Sequence, residues 1–280
     1  MYKIIIDSCG ELTEELKSDG HFKNVPLEIE INGQRIVDDE TFDQLSFLKK
    51  VKESPSAPKS SCPAPESFLE LYKEEADHIY VVTLSKELSG SYNSAQLAKK
   101  LFSEEFGSAG KKIYVFNSRS ASVGETLIGM KVRECEESGM TFEETVEHVE
   151  RYISEQRTFF VLETLETLRK NGRLSGLKAL AASALNIKPI MGSTPEGEIC
   201  QLGQARGMNK ALKKMMQEML ASVKNSENRI LAISHCNCPL RAKAVKEELL
   251  KSAKFKDIVI ADTAGISSMY ANDGGIIMVV

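Results

Sequence analysis

The chain has 280 residues, 42% hydrophobic and 27% charged, close to the average for soluble globular proteins, so disordered, fibrous and collagen-like readings fall away. Forty acidic against thirty-six basic residues give a formal net charge of −4, whereas a nucleic-acid binder normally carries a basic excess. The longest stretches free of Asp, Glu, Lys and Arg, Leu88–Ala98 and Ile230–Leu240, have eleven residues each, against the roughly eighteen that a membrane-spanning helix needs.

The opening Met1-Tyr2-Lys3-Ile4-Ile5-Ile6-Asp7 enters a strand directly and lacks the basic segment and apolar core of a signal peptide, so the expected address is the cytoplasm. In that reducing compartment the six cysteines (9, 62, 135, 200, 236, 238) are expected to be unpaired. β-Branched runs predict strands over 3–6, 26–31, 78–83, 112–116, 158–162, 187–191, 229–234, 257–261 and 276–280. Asn32-Gly33 is a two-residue hairpin signal, because both turn positions tolerate positive φ. Amphipathic segments at 68–75, 91–102, 142–155, 209–223 and 240–252 predict helices between the strands, and two consecutive helices meet around Ser138-Gly139. Met215, Met216, Met219 and Leu220 recur at helical spacing and read as ordinary core. The alternation implies an α/β fold with a parallel or mixed sheet covered on both faces. The length suits two domains, 1–157 and 158–280, the second with a hairpin around Pro195-Glu196-Gly197.

Most catalytic signatures are missing. The sequence has no glycine-rich dinucleotide fingerprint, no phosphate loop ending in Gly-Lys-Ser/Thr, no His-Glu-x-x-His and no Gly-x-Ser-x-Gly elbow. Cys236-Asn237-Cys238 beside His235 lacks the spacer and second pair of a zinc site and reads as a strand end, so no metal is expected.

Three hydroxyl-rich loops remain. Lys59-Ser60-Ser61-Cys62-Pro63-Ala64-Pro65-Glu66 precedes a helix and could be no more than a cap. Leu84-Ser85-Lys86-Glu87-Leu88-Ser89-Gly90-Ser91-Tyr92-Asn93-Ser94 follows a strand, holds more hydroxyls than a cap requires, and has Gly90 for close backbone approach. Asn117-Ser118-Arg119-Ser120-Ala121-Ser122-Val123-Gly124 follows another strand. Loops of this kind at strand carboxyl ends form the crevice where open α/β sheets bind ligands, and helix N-termini there favour an anion. Hydroxyls without a strong base suit holding a carboxylate or phosphate. The competing reading is a hydrolase or phosphotransferase acting through Ser61, Ser89 or Ser91, which needs a base in reach. A third is a regulatory module that senses a lipid.

On these residues the chain resembles the DegV family of bacterial fatty-acid-binding proteins. Ser60-Ser61-Cys62-Pro63 is similar to the family's Thr-Ser-Gln-Pro. Leu88-Ser89-Gly90-Ser91-Tyr92-Asn93-Ser94-Ala95 is similar to its Leu-Ser-Gly-Thr-Tyr-Gln-Ser-Ala. The stretch from Leu162-Glu163 through Gly172-Arg173-Leu174-Ser175 resembles its Leu-Glu-x-Leu-x-x-Gly-Gly-Arg, and Ile187-Lys188-Pro189-Ile190 and Arg206 match later elements. The likeness covers the whole chain in order, Ile6-Asp7-Ser8 included.

The resemblance implies two α/β domains, the first with a mostly parallel sheet, and a long-chain fatty acid buried between them. It implies a carboxylate held by Ser61 and Ser89, with Ser60, Gly90, Ser91 and Tyr270 around it, and Arg173 and Arg206 facing the headgroup or a partner. It further implies a non-catalytic carrier without a cofactor, which presents the acid to a separate fatty acid kinase. Two departures stand out. Asn117 replaces the family's aspartate, and Tyr270-Ala271-Asn272-Asp273-Gly274 replaces its His-x-Gly-Pro-Gly. Tyr270 can donate a hydrogen bond but cannot become cationic, so it suits a carboxylate better than an acyl phosphate.

Overall fold

The computed structural model describes residues 1–107, 110–174 and 186–280. Its first part runs β1 (Tyr2–Asp7), α1 (Glu14–Ser18), β2 (Phe22–Val25), β3 (Glu28–Ile31), β4 (Gln34–Val37), α2 (Gln44–Glu53), β5 (Lys59–Ser61), α3 (Pro65–Lys73), β6 (His78–Thr83), α4 (Ser91–Phe106), β7 (Lys112–Asn117), α5 (Val123–Glu137) and α6 (Phe142–Glu155). Strands β2-β1-β6-β7 form a wholly parallel sheet. Successive strand residues point to opposite faces, and helices cover both. Ile4 and Ile6 therefore pack with Ile128, Val132, Val149 and Ile153 of α5 and α6, while Ile5 packs with Phe68, Tyr72, Ala95 and Ala98 of α3 and α4. That double burial is why the strand carries an unbroken apolar run. Between α5 and α6, Gly139 turns at φ +77°, and Thr141 with Glu144 makes a reciprocal capping box at the start of α6.

The expected hairpin is present. Asn32 and Gly33 both have positive φ, and Ile31 pairs with Gln34. The predicted strand at Pro26 begins two residues later, at Glu28, since proline has no N–H for the ladder. Short β5 adds to the other edge of β3, with Ser60 opposite Ile29 and Ser61 opposite Glu28.

The second part runs β8 (Thr158–Val161), α7 (Glu166–Lys170), β9 (Ile187–Ser193), β10 (Ile199–Arg206), α8 (Met208–Ser222), β11 (Ile230–His235), α9 (Pro239–Leu250), β12 (Asp257–Asp262), α10 (Gly265–Ala271) and β13 (Ile276–Val279). Its mixed sheet has the order β10-β9-β8-β13-β11-β12. Met215, Met216 and Met219 are buried against Val161, Ile190, Leu231 and Met278, in an apolar core as expected. We propose the domain division at residue 157, because every described strand before it belongs to the parallel sheet or to the three-stranded sheet β4-β3-β5 and every one after it to the mixed sheet. Two helices bridge the parts. Val123 and Leu127 of α5 pack on Ala232 and Val279, and Ile266 and Met269 of α10 pack on Leu27, Ile29, Phe47 and Leu84. No described helix is long and apolar enough to cross a membrane.

Candidate functional site

A cavity of about 830 Å³, its mouth included, opens between the loops at the carboxyl ends of β6 and β7 and the mixed sheet. Leu84 and Leu88 come from the loop after β6, Phe160 and Leu162 from β8 and its end, Ile199 from β10, Ile266 from α10 and Ile277 from β13. Phe160 is the cross-strand neighbour of Ile277, so the mixed sheet presents a continuous apolar face to the cavity. The walls are predominantly hydrocarbon, with polar groups concentrated in a few places.

One polar group collects Ser60, Ser89, Tyr270 and Arg173, all of them cavity-lining. Ser60 Oγ lies 3.0 Å from the Tyr270 hydroxyl. The Arg173 guanidinium stands 5.9 Å from the centre of the Tyr270 ring, a cation–π distance. It donates from Nε to the Leu88 carbonyl (3.2 Å) and from a terminal nitrogen to the Asn171 carbonyl (2.6 Å), and has no carboxylate partner among the described residues. Ser89 Oγ accepts the Ser91 N–H at 3.2 Å. Burial raises the Tyr270 phenol above its ordinary value, opposed by Ser60 and by the Arg173 charge, so it stays a neutral donor.

The remaining candidates lie outside this polar group. Ser61 alternates with Ser60 along β5 and is exposed, outside the cavity lining, whereas Ser60 lines it. Ser91 is fully buried and gives its hydroxyl to Asp7 Oδ2 at 2.5 Å, which leaves it none for a ligand. Gly90 is not a lining residue; a Cβ there would come 2.9 Å from Cys62 Sγ, so its smallness lets the first two loops meet. Arg206 is exposed at the end of β10, opposite Ile187 and outside the cavity lining. Ser175, the last residue of the Gly-Arg element, lies outside the described residues.

The sequence reading counted the third loop toward the crevice but singled out no residue of it; Arg119, Ser120 and Ser122 line the cavity together with Ser267 and Cys9. It also overlooked four buried carboxyls beneath the site: Asp7, Glu11, Asp38 and Glu125. The sign was an acid closing a strand of buried isoleucines. Asp38 accepts the Gly265 and Ile266 N–H groups at 2.6 and 2.8 Å and so caps α10, with burial pushing its carboxyl up to about 6. Burial likewise raises Glu11 to about 7, against the pull of Ser267 and of the Ser122 hydroxyl at 2.8 Å. None of the four histidines lines the cavity; His235 is held by Asp262 at 3.3 Å and His78 by Glu136 at 2.7 Å.

The DegV family profile matches residues 1–279. A DegV domain-containing protein of Streptococcus gordonii is 34% identical over 284 residues, covering 99% of this chain and 98% of its own length. A solved DegV-family structure from Ruminococcus gnavus, refined with vaccenic acid, superposes with a TM-score of 0.97 at 59% identity over 100% of this chain and 99% of that one. The Streptococcus pneumoniae Fatty Acid Kinase (Fak) B3 protein, loaded with linoleic acid, superposes with a TM-score of 0.88 at 31% identity over 100% and 98%. Sequence and fold agree from one end of the chain to the other, and the chain belongs to the DegV family.

Proposed function

We propose that this protein binds a long-chain fatty acid in the cavity, with the carboxylate at Ser60, Ser89, Tyr270 and Arg173, and carries it to a separate fatty acid kinase. The observation that carries the reading is the Ser60–Tyr270 contact at the polar end of an apolar cavity. If one of these two hydroxyls donates to the other, one hydrogen is left for a ligand. Ser89, whose oxygen already accepts from Ser91, keeps its own hydrogen free. Arg173 uses two of its five N–H donors on carbonyls. The donors left over are enough to fill the acceptor sites of one carboxylate, and charge-assisted bonds can replace its lost water.

Burying about sixteen methylenes at ~0.8 kcal/mol each is worth on the order of 12 kcal/mol gross, reduced by association costs of roughly 4–15 kcal/mol. The result is an affinity compatible with carriage rather than permanent sequestration. The Ruminococcus gnavus and Streptococcus pneumoniae neighbours, seen with vaccenic and linoleic acid, support the ligand class, and the name of the second supports the kinase partner. A cavity with no histidine beside its serines supports a carrier over a hydrolase. Six free thiols accord with a reducing cytoplasm. Denaturing extraction of purified protein followed by mass spectrometry tests the proposal. One equivalent of a long-chain acid is the expected result; protein that is empty and also takes up no fluorescent fatty acid overturns it.

A further inference from the structure

Asp7 closes β1 directly beneath the headgroup residues. It is fully buried, and no cation pairs with it among the described residues. Its Oδ2 accepts both the Leu84 N–H at 2.9 Å and the Ser91 hydroxyl at 2.5 Å, while Oδ1 accepts the Cys9 N–H at 3.2 Å. The loop from Leu84 to Ser91 thus hangs by both ends from a single carboxylate oxygen. Inside it, the Ser89 N–H donates to the Ser85 carbonyl at 3.0 Å, and the Ser91 N–H donates to Ser89 Oγ at 3.2 Å.

The second bond sets the direction of a proton. With the Ser91 N–H on one side of Ser89 Oγ, the hydroxyl hydrogen turns away from Ser91, and Ser89 lines the cavity. Glu125 of α5, also fully buried, reaches toward Asp7, and neither of its oxygens receives an N–H or O–H. Burial and the Asp7 charge push Glu125 well above the ordinary carboxylate range, whereas the donors around Asp7 oppose the rise there. Three donors reach Asp7 and none reaches Glu125, so of the two it is Asp7 whose surroundings favour the ionised acceptor that the loop needs.

We infer that Asp7 is a positioning residue for the headgroup: through Ser91 it holds Ser89 so that its hydroxyl hydrogen faces the ligand carboxylate. This rests on the fatty-acid reading above and adds a residue that does not itself touch the ligand.

The test compares vaccenic acid with its methyl ester, which has the same chain and no anion. Both are titrated into delipidated wild type, Asp7→Asn, Ser91→Ala and Ser91→Thr, with melting temperatures measured in parallel. Wild type prefers the acid. Asp7→Asn and Ser91→Ala lose about tenfold in affinity for the acid and keep that for the ester to within about twofold, and Ser91→Thr restores the preference. If Asp7→Asn fails to fold, Ser91→Ala alone carries the comparison. Variants that melt lower yet keep the wild-type ratio of acid to ester affinity overturn the inference and leave Asp7 a role in stability only. Wild type that binds neither ligand overturns the fatty-acid reading, and this inference with it.

Discussion

Ser60 and Tyr270 stand 210 positions apart in the chain, yet their hydroxyl oxygens lie 3.0 Å apart across the cavity. One comes from a three-residue strand beside the β-hairpin and the other from α10, which the second half of the chain sends back against the first. This polar end of the cavity is therefore a joint between the two halves, built only when they come together.

This pair distinguishes the two serines of the first loop. Ser60→Ala and Tyr270→Phe each break the hydroxyl pair that orients one hydrogen toward an anion, and each is expected to weaken fatty-acid binding by about 1.5–3 kcal/mol. Ser61→Ala, at an exposed position, should leave both affinity and stability within about 0.5 kcal/mol of wild type. Titration of delipidated protein measures all three. A Ser61→Ala loss equal to that of Ser60→Ala would return the carboxylate to Ser61.

Arg173 supplies the only full positive charge in that donor group, and its two structural bonds go to backbone carbonyls. Arg173→Met keeps much of the stem that packs near Tyr270 while removing the charge. Affinity for the acid is expected to fall by about 2 kcal/mol, and turnover by a fatty acid kinase to fall with it. The melting temperature of delipidated protein should move little. A fold lost without any change in affinity would make Arg173 a structural cation.

The buried carboxyls predict an inverted pH response. Glu11 at about 7 and Asp38 at about 6 hold protons in the folded state that the unfolded chain releases near pH 4. Their contribution is fully present below about pH 4 and is lost as pH rises through 6 and 7, on the order of 3 kcal/mol for Glu11. Delipidated protein should melt highest near pH 5 and several degrees lower at pH 8. Glu11→Gln should flatten that slope, and a melting temperature that instead climbs from pH 5 to 8 would count against these protonation states.

Gly197 sits at the tip of the β9–β10 turn with φ +98°, and its carbonyl accepts the buried Ser85 hydroxyl at 2.8 Å. An added Cβ would lie 2.4 Å from Ser85 Oγ and 2.7 Å from Arg119 Cα. Gly197→Ala is expected to cost about 1–3 kcal/mol of stability, combining strain with a displaced turn. Because this turn walls the cavity, release of a fluorescent fatty acid should also speed up; an unchanged release rate would show that the turn does not shut the cavity.

Much of this molecule was legible in its residues, for local reasons. Strands such as His78–Thr83 and helices such as Phe142–Glu155 announce themselves by period and by caps, and Asn32-Gly33 by its turn conformation. Edge strands were harder. Phe22–Val25 is short and Ile199–Arg206 half exposed, so neither carries the apolar run of a central strand. The helix Gly265–Ala271 is a poor helix sequence, made possible by the Asp38 carboxylate at its N-terminus from 227 residues away. The motifs Leu162-Glu163 and Ile187-Lys188-Pro189-Ile190 were visible separately, but not that Lys188 Nζ reaches the Glu163 carboxylate at 2.6 Å. At the site, the loops that gather hydroxyls could be found from the residues alone, because loop position follows from the order of strands and helices. Which hydroxyl lines the cavity depends on how the folded chain packs. The pleat of β5 turns Ser60 inward and Ser61 outward, a difference of one residue that the pairing of β5 with β3 settles. A buried carboxylate claims the Ser91 hydroxyl, and that choice depends on Asp7, 84 residues earlier in the chain.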